Sequence, residues 1–177
     1  MDIQIKQGPQ CHPSNCYTYR NGDIKYIVIH FTSNNGDTAL NNCNYFSGAN
    51  RGASAHYFIG DDGIYQSVPD KWAAWAVGGT KIYKHPYCRN MNSISIEMCS
   101  RIGADGKYYI RDGIVEQTIK LTRYLMNKYG VPVENVLRHY DVWDKKCPEP
   151  FVGIRVTENG NGLLHLCHER HEGEHNE

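Results

Sequence analysis

The sequence lacks a long apolar run and an excess of either charge. No uninterrupted apolar stretch approaches the ~18 residues that a membrane-spanning helix requires. Lysine and arginine together number 19, as do aspartate and glutamate, so the formal net charge is zero. A chain without a basic excess lacks the charge that drives nonspecific binding to phosphate backbones. We therefore expect neither a membrane span nor a nucleic-acid partner.

A regular cysteine framework is also missing. The seven cysteines are odd in number and include no CxxC pair, whereas a disulfide framework is normally even and regularly spaced. We expect mostly reduced, buried thiols. A local bond between Cys11 and Cys16 stays open, because spacing alone does not decide it. Residues 1–10 are polar and show no apolar signal-peptide region, so we expect synthesis in the cytoplasm without a standard export signal.

What is present favours one folded domain. The 177 residues fit a single domain, and 40% hydrophobic residues are enough for a sizeable core. We predict a polar, turn-rich N-terminal extension over 1–23, a catalytic domain over 24–156 and a flexible tail over 157–177. The tail contains His165, Cys167, His168, His171 and His175. Some of these side chains could chelate a metal from one helix face, but nothing preorganises them, so a solvated tail is favoured.

Strands and helices alternate within the predicted domain. Strands are predicted over 25–30, 54–60, 64–68, 92–99 and 133–139, with a tight turn over 61–63. Helices are predicted over 37–46 and 113–129, and Gly130 and Pro132 end the second one. This order predicts a mixed α/β fold in which helices flank a central sheet.

Three potential metal ligands lie at or after predicted strand ends. His30 closes one buried strand, His139 closes another, and Cys147 follows His139 by eight residues. Side chains at strand ends can be held firmly and still reach a substrate. Two imidazoles and a thiolate leave one tetrahedral position of Zn²⁺ open, as in catalytic zinc sites. Two ordinary hydrogen-bonded histidines and a buried thiol explain the spacing equally well.

Two charged residues would complete a hydrolytic site. Glu97 lies on the polar face of the alternating strand 92–99, where a carboxylate is costly unless it faces a cleft or a partner. In a zinc hydrolase it would take the proton of the attacking water and pass it to the leaving amine. Lys145 precedes Cys147 by two residues and could stabilise an oxyanion. The alternatives are a solvated edge-strand glutamate and, beside Lys146, a solvated surface lysine.

Five segments, in order between residues 24 and 150, carry a family resemblance. They are Tyr26–His30, Ser54–Gly60 with Asp62–Gln66, Lys71–Trp75, Asn92–Glu97, and Arg138–Asp141 leading to Cys147–Pro148. Together they resemble the type 2 N-acetylmuramoyl-L-alanine amidases, which include phage lysozyme-like amidases, bacterial autolysins and animal peptidoglycan recognition proteins. The resemblance implies that fold, and zinc held by His30, His139 and Cys147. It also implies hydrolysis of the amide between N-acetylmuramic acid and L-alanine.

The resemblance implies roles for further residues. Tyr57 matches a tyrosine that the phage members place beside the metal, and Glu97 matches the glutamate base of bacterial members. Lys145 matches the lysine two residues before the third ligand. Trp72 and Trp75 look like groove-wall aromatics that could stack on sugar faces, although core or rim packing explains them equally well.

Three further points limit the resemblance. His56 is left out of the ligand set, because strand alternation turns it away from Tyr57. Ala76 stands where many relatives have a histidine, so a contact near the site is missing. The resemblance ends after Pro150, and no cell-wall-binding repeat follows. We therefore expect a catalytic module alone, truncated or of prophage origin.

These observations predict a monomeric, zinc-dependent peptidoglycan amidase that acts on the cell wall as an endolysin or autolysin, released by lysis or a holin-type route. One alternative is a non-catalytic peptidoglycan-binding module, since some relatives keep the groove and lose the metal. The joint presence of His30, His139, Cys147 and Glu97 argues against it, because binding requires none of them. An intracellular amidase that recycles muropeptides fits the lack of a signal peptide equally well.

Overall fold

The computed structural model describes residues 3–78, 82–143 and 145–152. The strands are β1 (Ile5–Gln7), β2 (Cys16–Tyr17), β3 (Tyr26–Phe31), β4 (Tyr57–Gly60), β5 (Gly63–Gln66), β6 (Ala73–Ala74), β7 (Ser93–Met98), β8 (Arg101–Ile102), β9 (Tyr108–Tyr109) and β10 (Val136–Arg138). The helices are α1 (Ala39–Ser47), α2 (Asp112–Tyr129) and α3 (His139–Val142). None of the described helices is long and apolar enough to cross a membrane.

A six-stranded mixed sheet forms the centre of the molecule, in the order β1-β5-β4-β7-β3-β10. β3 lies between β7 and β10 and is parallel to both, and β4 is parallel to β7. β4 and β5 form the predicted antiparallel hairpin, whose turn reaches Gly63 at φ +112°, a backbone conformation that favours glycine. The mixed α/β fold with a central sheet is confirmed.

The register of the central strands decides which side chains share a face. The pairs at one level are His30–Glu97 and Phe58–Glu97, and the pairs one residue earlier are Ile29–Ile96 and Tyr57–Ile96. Since side chains alternate along a strand, these two sets lie on opposite faces of the sheet. We call the face of His30 and Glu97 the site face. The face of Ile96 and Tyr57, which packs against α2, is the helix face.

Helix α2 covers the helix face as its periodicity predicts. The buried residues of α2 are Ile114, Val115, Thr118, Ile119, Leu121, Thr122 and Leu125. The helix ends at Gly130, whose φ of 65° lies in the left-handed region and whose N–H donates to the Met126 carbonyl. Burial of this apolar stripe against the sheet contributes hydrophobic stabilisation to the domain.

The predicted N-terminal extension is part of the domain where it is described. β1 pairs with β5 and forms the edge of the central sheet. The Arg20 guanidinium donates to five backbone carbonyls, those of Asp70, Trp72, Asn90, Met91 and Ser93. A guanidinium has five N–H donors, so Arg20 ties the N-terminal segment to several loops at once. The predicted tail, 157–177, lies outside the described residues.

Two smaller expectations are refined by the structure. The strand predicted over 133–139 is shorter, because a 3-10 turn occupies Val133–Asn135 and His139 already begins α3. The six described cysteines are buried free thiols: Cys11, Cys16, Cys43, Cys88, Cys99 and Cys147. The thiols of Cys11 and Cys16 lie 3.6 and 3.9 Å from the same carbonyl oxygen, that of His12.

Candidate metal centre

Three buried side chains meet where β3 and β10 end. His30 is the fifth residue of β3, and His139 directly follows β10, which runs parallel to β3. Cys147 reaches the same place from the loop after α3. The ligand atoms of these three residues all lie within 4.8 Å of one another, and no residue of the trio is more than 3% exposed. The structure therefore brings together the trio that the sequence singled out.

Three of the four imidazole nitrogens of this cluster lack a partner among the described residues. Nε2 of His30 and both ring nitrogens of His139 are buried, and no described residue offers them a hydrogen bond. The Cys147 sulfur lies 3.9 Å from Nδ1 of His30. Buried polar groups are normally paired, so unpaired ring nitrogens beside a buried thiol are a set that a metal ion would satisfy. Two nitrogens and one sulfur suit Zn²⁺ and leave a fourth position open.

The protonation states of the ligands also suit a metal. Burial, together with the charges of His139, Lys145 and His56, holds the pKa of His30 well below its usual value. Burial and Lys145 lower the pKa of His139 to about 4, so both imidazoles are neutral at pH 7. Burial raises the pKa of Cys147 to about 12. Metal binding at neutral pH would therefore release the thiol proton.

Glu97 lies across from His30 on the neighbouring strand. Its Oε1 is 3.9 Å from Nδ1 of His30, and 20% of its side chain is exposed. Burial raises the pKa of Glu97 to about 8, with Lys145 lowering it and Asp37 raising it. A carboxyl with such a pKa can take up and release a proton near neutral pH. The alternative of a solvated edge-strand glutamate is wrong, because β7 is an interior strand of the sheet.

Lys145 is a charged residue close in sequence to the cluster, two positions before Cys147. Its side chain is exposed in the loop that leads to Cys147. Its positive charge lowers the pKa of His30, His139, Glu97 and Cys147 alike. The role of Lys145 in stabilising an oxyanion stays a prediction.

Tyr57, in contrast, is not brought to the cluster. It lies on the helix face, because it pairs with Ile96 rather than with Glu97. Its hydroxyl donates to Asp70 at 2.7 Å, and Asp70 also accepts from Lys128 and Tyr129 of α2. The expected position of Tyr57 beside the metal is therefore wrong, and its hydroxyl is already engaged in a buried network.

His56 lies outside the ligand cluster, but for a different reason than the sequence suggested. It precedes Tyr57 and so faces the opposite way, toward the site face. Its Nδ1 accepts from the Ser95 backbone N–H at 3.0 Å, and its Nε2 lies 3.2 Å from the Trp72 carbonyl. Its Nε2 also lies 3.0 Å from a terminal nitrogen of Arg20, so both ring nitrogens have protein partners, which explains why His56 lies outside the cluster.

The two predicted groove-wall tryptophans pack against the protein. Trp72 is half-buried against a small apolar cluster of Cys11, Cys16, Val68 and Ala74. The Trp75 ring lies edge-on to Tyr17, with 5.4 Å between centroids. Neither tryptophan lines the cleft beside Glu97. This placement favours rim packing over the expected stacking on sugar faces.

A cleft of about 500 Å³ opens beside Glu97, between α1, β4 and the loop after β3. Its lining residues are Thr32, Asn34, Asp37, Asn41, Asn42, Tyr45, Phe46, Phe58 and Glu97. Phe46 stacks on Phe58, with 5.5 Å between ring centroids. The sequence reasoning missed this cleft, because it used only the apolar spacing of residues 37–46. The available indication in the sequence was the set of asparagines in the same segment, because asparagine is a poor helix former and is not explained by the helix itself.

Comparison with known proteins identifies the family. Residues 20–150 match the family model described as N-acetylmuramoyl-L-alanine amidase. The chain belongs to this family. A probable N-acetylmuramoyl-L-alanine amidase of Bacillus licheniformis is 35% identical over 136 residues, which cover 73% of this chain and 37% of that relative. This amidase-family chain thus spans little more than a third of the length of that relative.

Solved structures share the fold of this amidase-family chain. The structure of PlyL matches with a TM-score of 0.69 and 27% identity, over 94% of this chain and 97% of PlyL. The amidase AmiD of Escherichia coli, in complex with the substrate anhydro-N-acetylmuramic acid-L-Ala-D-gamma-Glu-L-Lys, matches with a TM-score of 0.51 and 25% identity. That match covers 67% of this chain and 49% of AmiD.

Proposed function

We propose that this chain hydrolyses the amide between N-acetylmuramic acid and L-alanine in bacterial peptidoglycan, with the aid of zinc. The observation that carries the proposal is the buried cluster of His30, His139 and Cys147, which faces Glu97 beside an open cleft. The names of the relatives and the substrate of AmiD support the choice of bond. The place of action would be the cell wall, as for an endolysin or an autolysin.

Each residue of the site has a distinct task in this reaction. His30, His139 and Cys147 would hold the zinc ion, which when bound supplies Lewis acidity to a water molecule and to the amide carbonyl. Glu97 accepts a proton from the attacking water and passes it to the alanine nitrogen as the carbon–nitrogen bond breaks. The Lys145 ammonium stabilises the negative charge that develops on the carbonyl oxygen.

The cleft supplies binding groups next to the reacting bond. Because Glu97 both faces His30 and lines the cleft, a substrate held there has its scissile amide within reach of the cluster. The amide side chain of Asn41 can donate and accept hydrogen bonds there, and those of Asn34 and Asn42 donate to Asp37, which lines the same cleft. Such groups match the amides and hydroxyls of a muropeptide, which is a neutral and polar ligand near the cleaved bond.

The decisive experiment uses Cys147→Ser. A serine hydroxyl stays protonated near neutral pH and is a far weaker zinc ligand than a thiolate. We expect about one zinc per wild-type chain, and loss of both zinc and alanine release in the variant. Binding to insoluble sacculi should persist, since the cleft does not include Cys147.

Cys16→Ser is the matched control, because Cys16 is also a buried free thiol but lies in a separate cluster. Zinc content, release of new N-terminal alanine and pull-down on sacculi are measured on one preparation of each protein. If the wild type binds sacculi but neither holds zinc nor releases alanine, the chain is a binding module and the enzyme proposal is wrong.

A further inference from the structure

Two of the three proposed zinc ligands belong to one loop. The chain leaves the sheet at Arg138, the last residue of β10, enters α3 at His139 and returns to the cluster at Cys147. His30, in contrast, is fixed within β3 by strands on both sides. No sheet ladder holds Cys147, so the distance between His139 and Cys147 depends on contacts made by this loop itself.

An ion pair closes the beginning of the loop. The Asp141 carboxylate accepts from the Arg138 backbone N–H at 2.8 Å, from its Nε at 3.0 Å, and from its terminal guanidinium nitrogen at 2.7 Å. The backbone bond caps the first turn of α3, and the side-chain bonds form a two-pronged, charge-assisted pair. The Arg138 and Asp141 side chains are only 12% and 30% exposed, unlike surface pairs that contribute little.

The same arginine holds the other end of the loop. The second terminal nitrogen of Arg138 donates to the Phe151 carbonyl at 2.8 Å, four residues beyond Cys147. The Tyr140 N–H donates to the Cys147 carbonyl, also at 2.8 Å. The backbone that carries His139 is thereby tied directly to the backbone that carries Cys147. Arg138 and Asp141 fix both ends of the segment in between.

The imidazole of His139 has no other polar support in the described part of the chain. Metal-binding histidines normally donate their second ring nitrogen to a carboxylate or carbonyl, which fixes the ring. Neither ring nitrogen of His139 has such a partner among the described residues. Its ring stacks on Trp143 with 6.2 Å between centroids. The position of His139 therefore depends on its backbone, which the Arg138–Asp141 pair holds.

We propose that Arg138 and Asp141 are positioning residues that set the spacing of His139 and Cys147 before zinc binds. The inference rests on the zinc site of the proposed function and extends it to two residues that are not ligands. A preformed site binds its metal more tightly, because its loop is already ordered and the entropy cost of ordering it does not reduce the binding free energy. Removal of either partner should weaken zinc binding while the sheet and α2 remain folded.

The test compares Asp141→Asn and Arg138→Gln with the wild type. The zinc dissociation constant is measured by competition with a chromophoric chelator, and the melting temperature is measured without metal. We expect zinc binding to weaken roughly 10- to 100-fold in each variant, as for other residues that support metal ligands. The double variant should be little weaker than either single one, because both changes break the same pair. Cobalt-substituted variants should show an altered thiolate-to-metal absorption band.

Asp61→Asn is the matched control. Asp61 also accepts from two guanidinium groups, those of Arg101 and Arg111 at 3.2 and 2.9 Å, but it belongs to no cluster of candidate ligands among the described residues. It should leave zinc affinity within about twofold of the wild type, as expected of an exposed pair. Arg138→Lys keeps the charge but not the two-pronged geometry, and should weaken zinc binding even if Arg138→Gln proves too unstable to assay.

The outcomes separate this inference from the proposed function. If the wild type binds zinc and Asp141→Asn and Arg138→Lys bind it equally well, the positioning role is wrong and the zinc site stands. An equal loss of affinity in Asp61→Asn also overturns the positioning role, because the effect would then be general. A wild type that binds no zinc overturns the zinc site and the positioning role together.

Discussion

Tyr57 on the helix face of the central sheet and His30 and Glu97 on its site face carry buried polar groups in opposite states. On the helix face, the Tyr57 hydroxyl is bonded to Asp70, which also accepts from Lys128 and Tyr129. On the site face, His30 and Glu97 each keep one buried polar atom without a protein partner. The two kinds of group are separated by a single residue along β4 and β7. Tyr57 pairs with Ile96, and the next residue, Phe58, pairs with Glu97 on the opposite face.

This difference separates stabilising polar groups from functional ones. A paired buried network joins distant elements, here the β4–β5 hairpin and α2, and adds to stability. An unpaired buried group costs about 1–3 kcal/mol, and such groups are concentrated where a ligand or a reaction supplies the missing partner. We therefore expect substitutions on the site face to reduce activity without loss of stability, and substitutions on the helix face to do the reverse.

The largest effect should come from Glu97→Gln. The variant keeps the shape of the side chain but cannot accept a proton, so alanine release should fall roughly 10²- to 10⁴-fold. Zinc content should be unchanged, and stability should not decrease, because a neutral amide is less costly to bury than a carboxylate. Muropeptide hydrolysis, bound zinc and urea unfolding are measured together. Near wild-type turnover would mean that Glu97 is not the proton acceptor.

Asp70→Ala should have the next largest effect, in the opposite direction. It leaves the Tyr57 and Tyr129 hydroxyls and the Lys128 ammonium without their acceptor, which should lower the free energy of unfolding by about 2–4 kcal/mol. Turnover per folded molecule and zinc content should stay at wild-type values. Glu116→Ala, on the exposed side of α2, serves as the control. A loss of zinc in Asp70→Ala would contradict the separation of the two faces.

The sequence singled out the candidate trio and predicted most elements because those signals are local. The alternation of Ile94, Ile96 and Met98 marks one face of β7, and the apolar period of α2 marks its buried side. His30 and His139 stand out because each lies at the end of a strand predicted from the sequence. The proximity of His30 to His139 then follows from the parallel pairing of β3 and β10.

The errors concern features that have no local signal. The face of Tyr57 depends on the register between β4 and β7, and a shift of one residue reverses every side chain of a strand. The partners Asp70 and Tyr129 are 59 positions apart, and Arg20 reaches carbonyls 50 to 73 positions away. No pattern within a single strand or helix announces such contacts, so only the folded chain shows them.

Lys145→Ala should lower turnover by about tenfold, less than the loss of a buried oxyanion donor, because Lys145 is exposed and its charge is screened. The Michaelis constant should change little, since the contact strengthens only in the transition state. Lys146→Ala is the control from the same loop. Equal losses in both variants would indicate that the overall charge of the loop matters rather than the position of one ammonium.

The smallest expected effect is the acid sensitivity that Asp70 gives to the helix face. Burial alone would raise the pKa of Asp70, but hydrogen bonds from Tyr129, Tyr57 and Lys128 outweigh it and hold the pKa below its usual value. A carboxyl with a pKa lower in the folded than in the unfolded state adds stability above about pH 4, and that stability is lost as the pH falls through the folded-state pKa.

The free energy of unfolding should therefore decrease more steeply between about pH 4 and pH 2 in the wild type than in Asp70→Asn, which has no such carboxyl to protonate. Urea unfolding at a series of pH values measures both slopes, and their difference isolates Asp70 from the other carboxylates that titrate in the same range. The melting temperature of Glu97→Gln over the same range provides the site-face counterpart, where the raised pKa predicts no added acid sensitivity. Parallel slopes for wild type and Asp70→Asn would show that the ionised carboxylate does not stabilise the helix face. The contrast between the two faces would then rest on the unpaired groups of the site face alone.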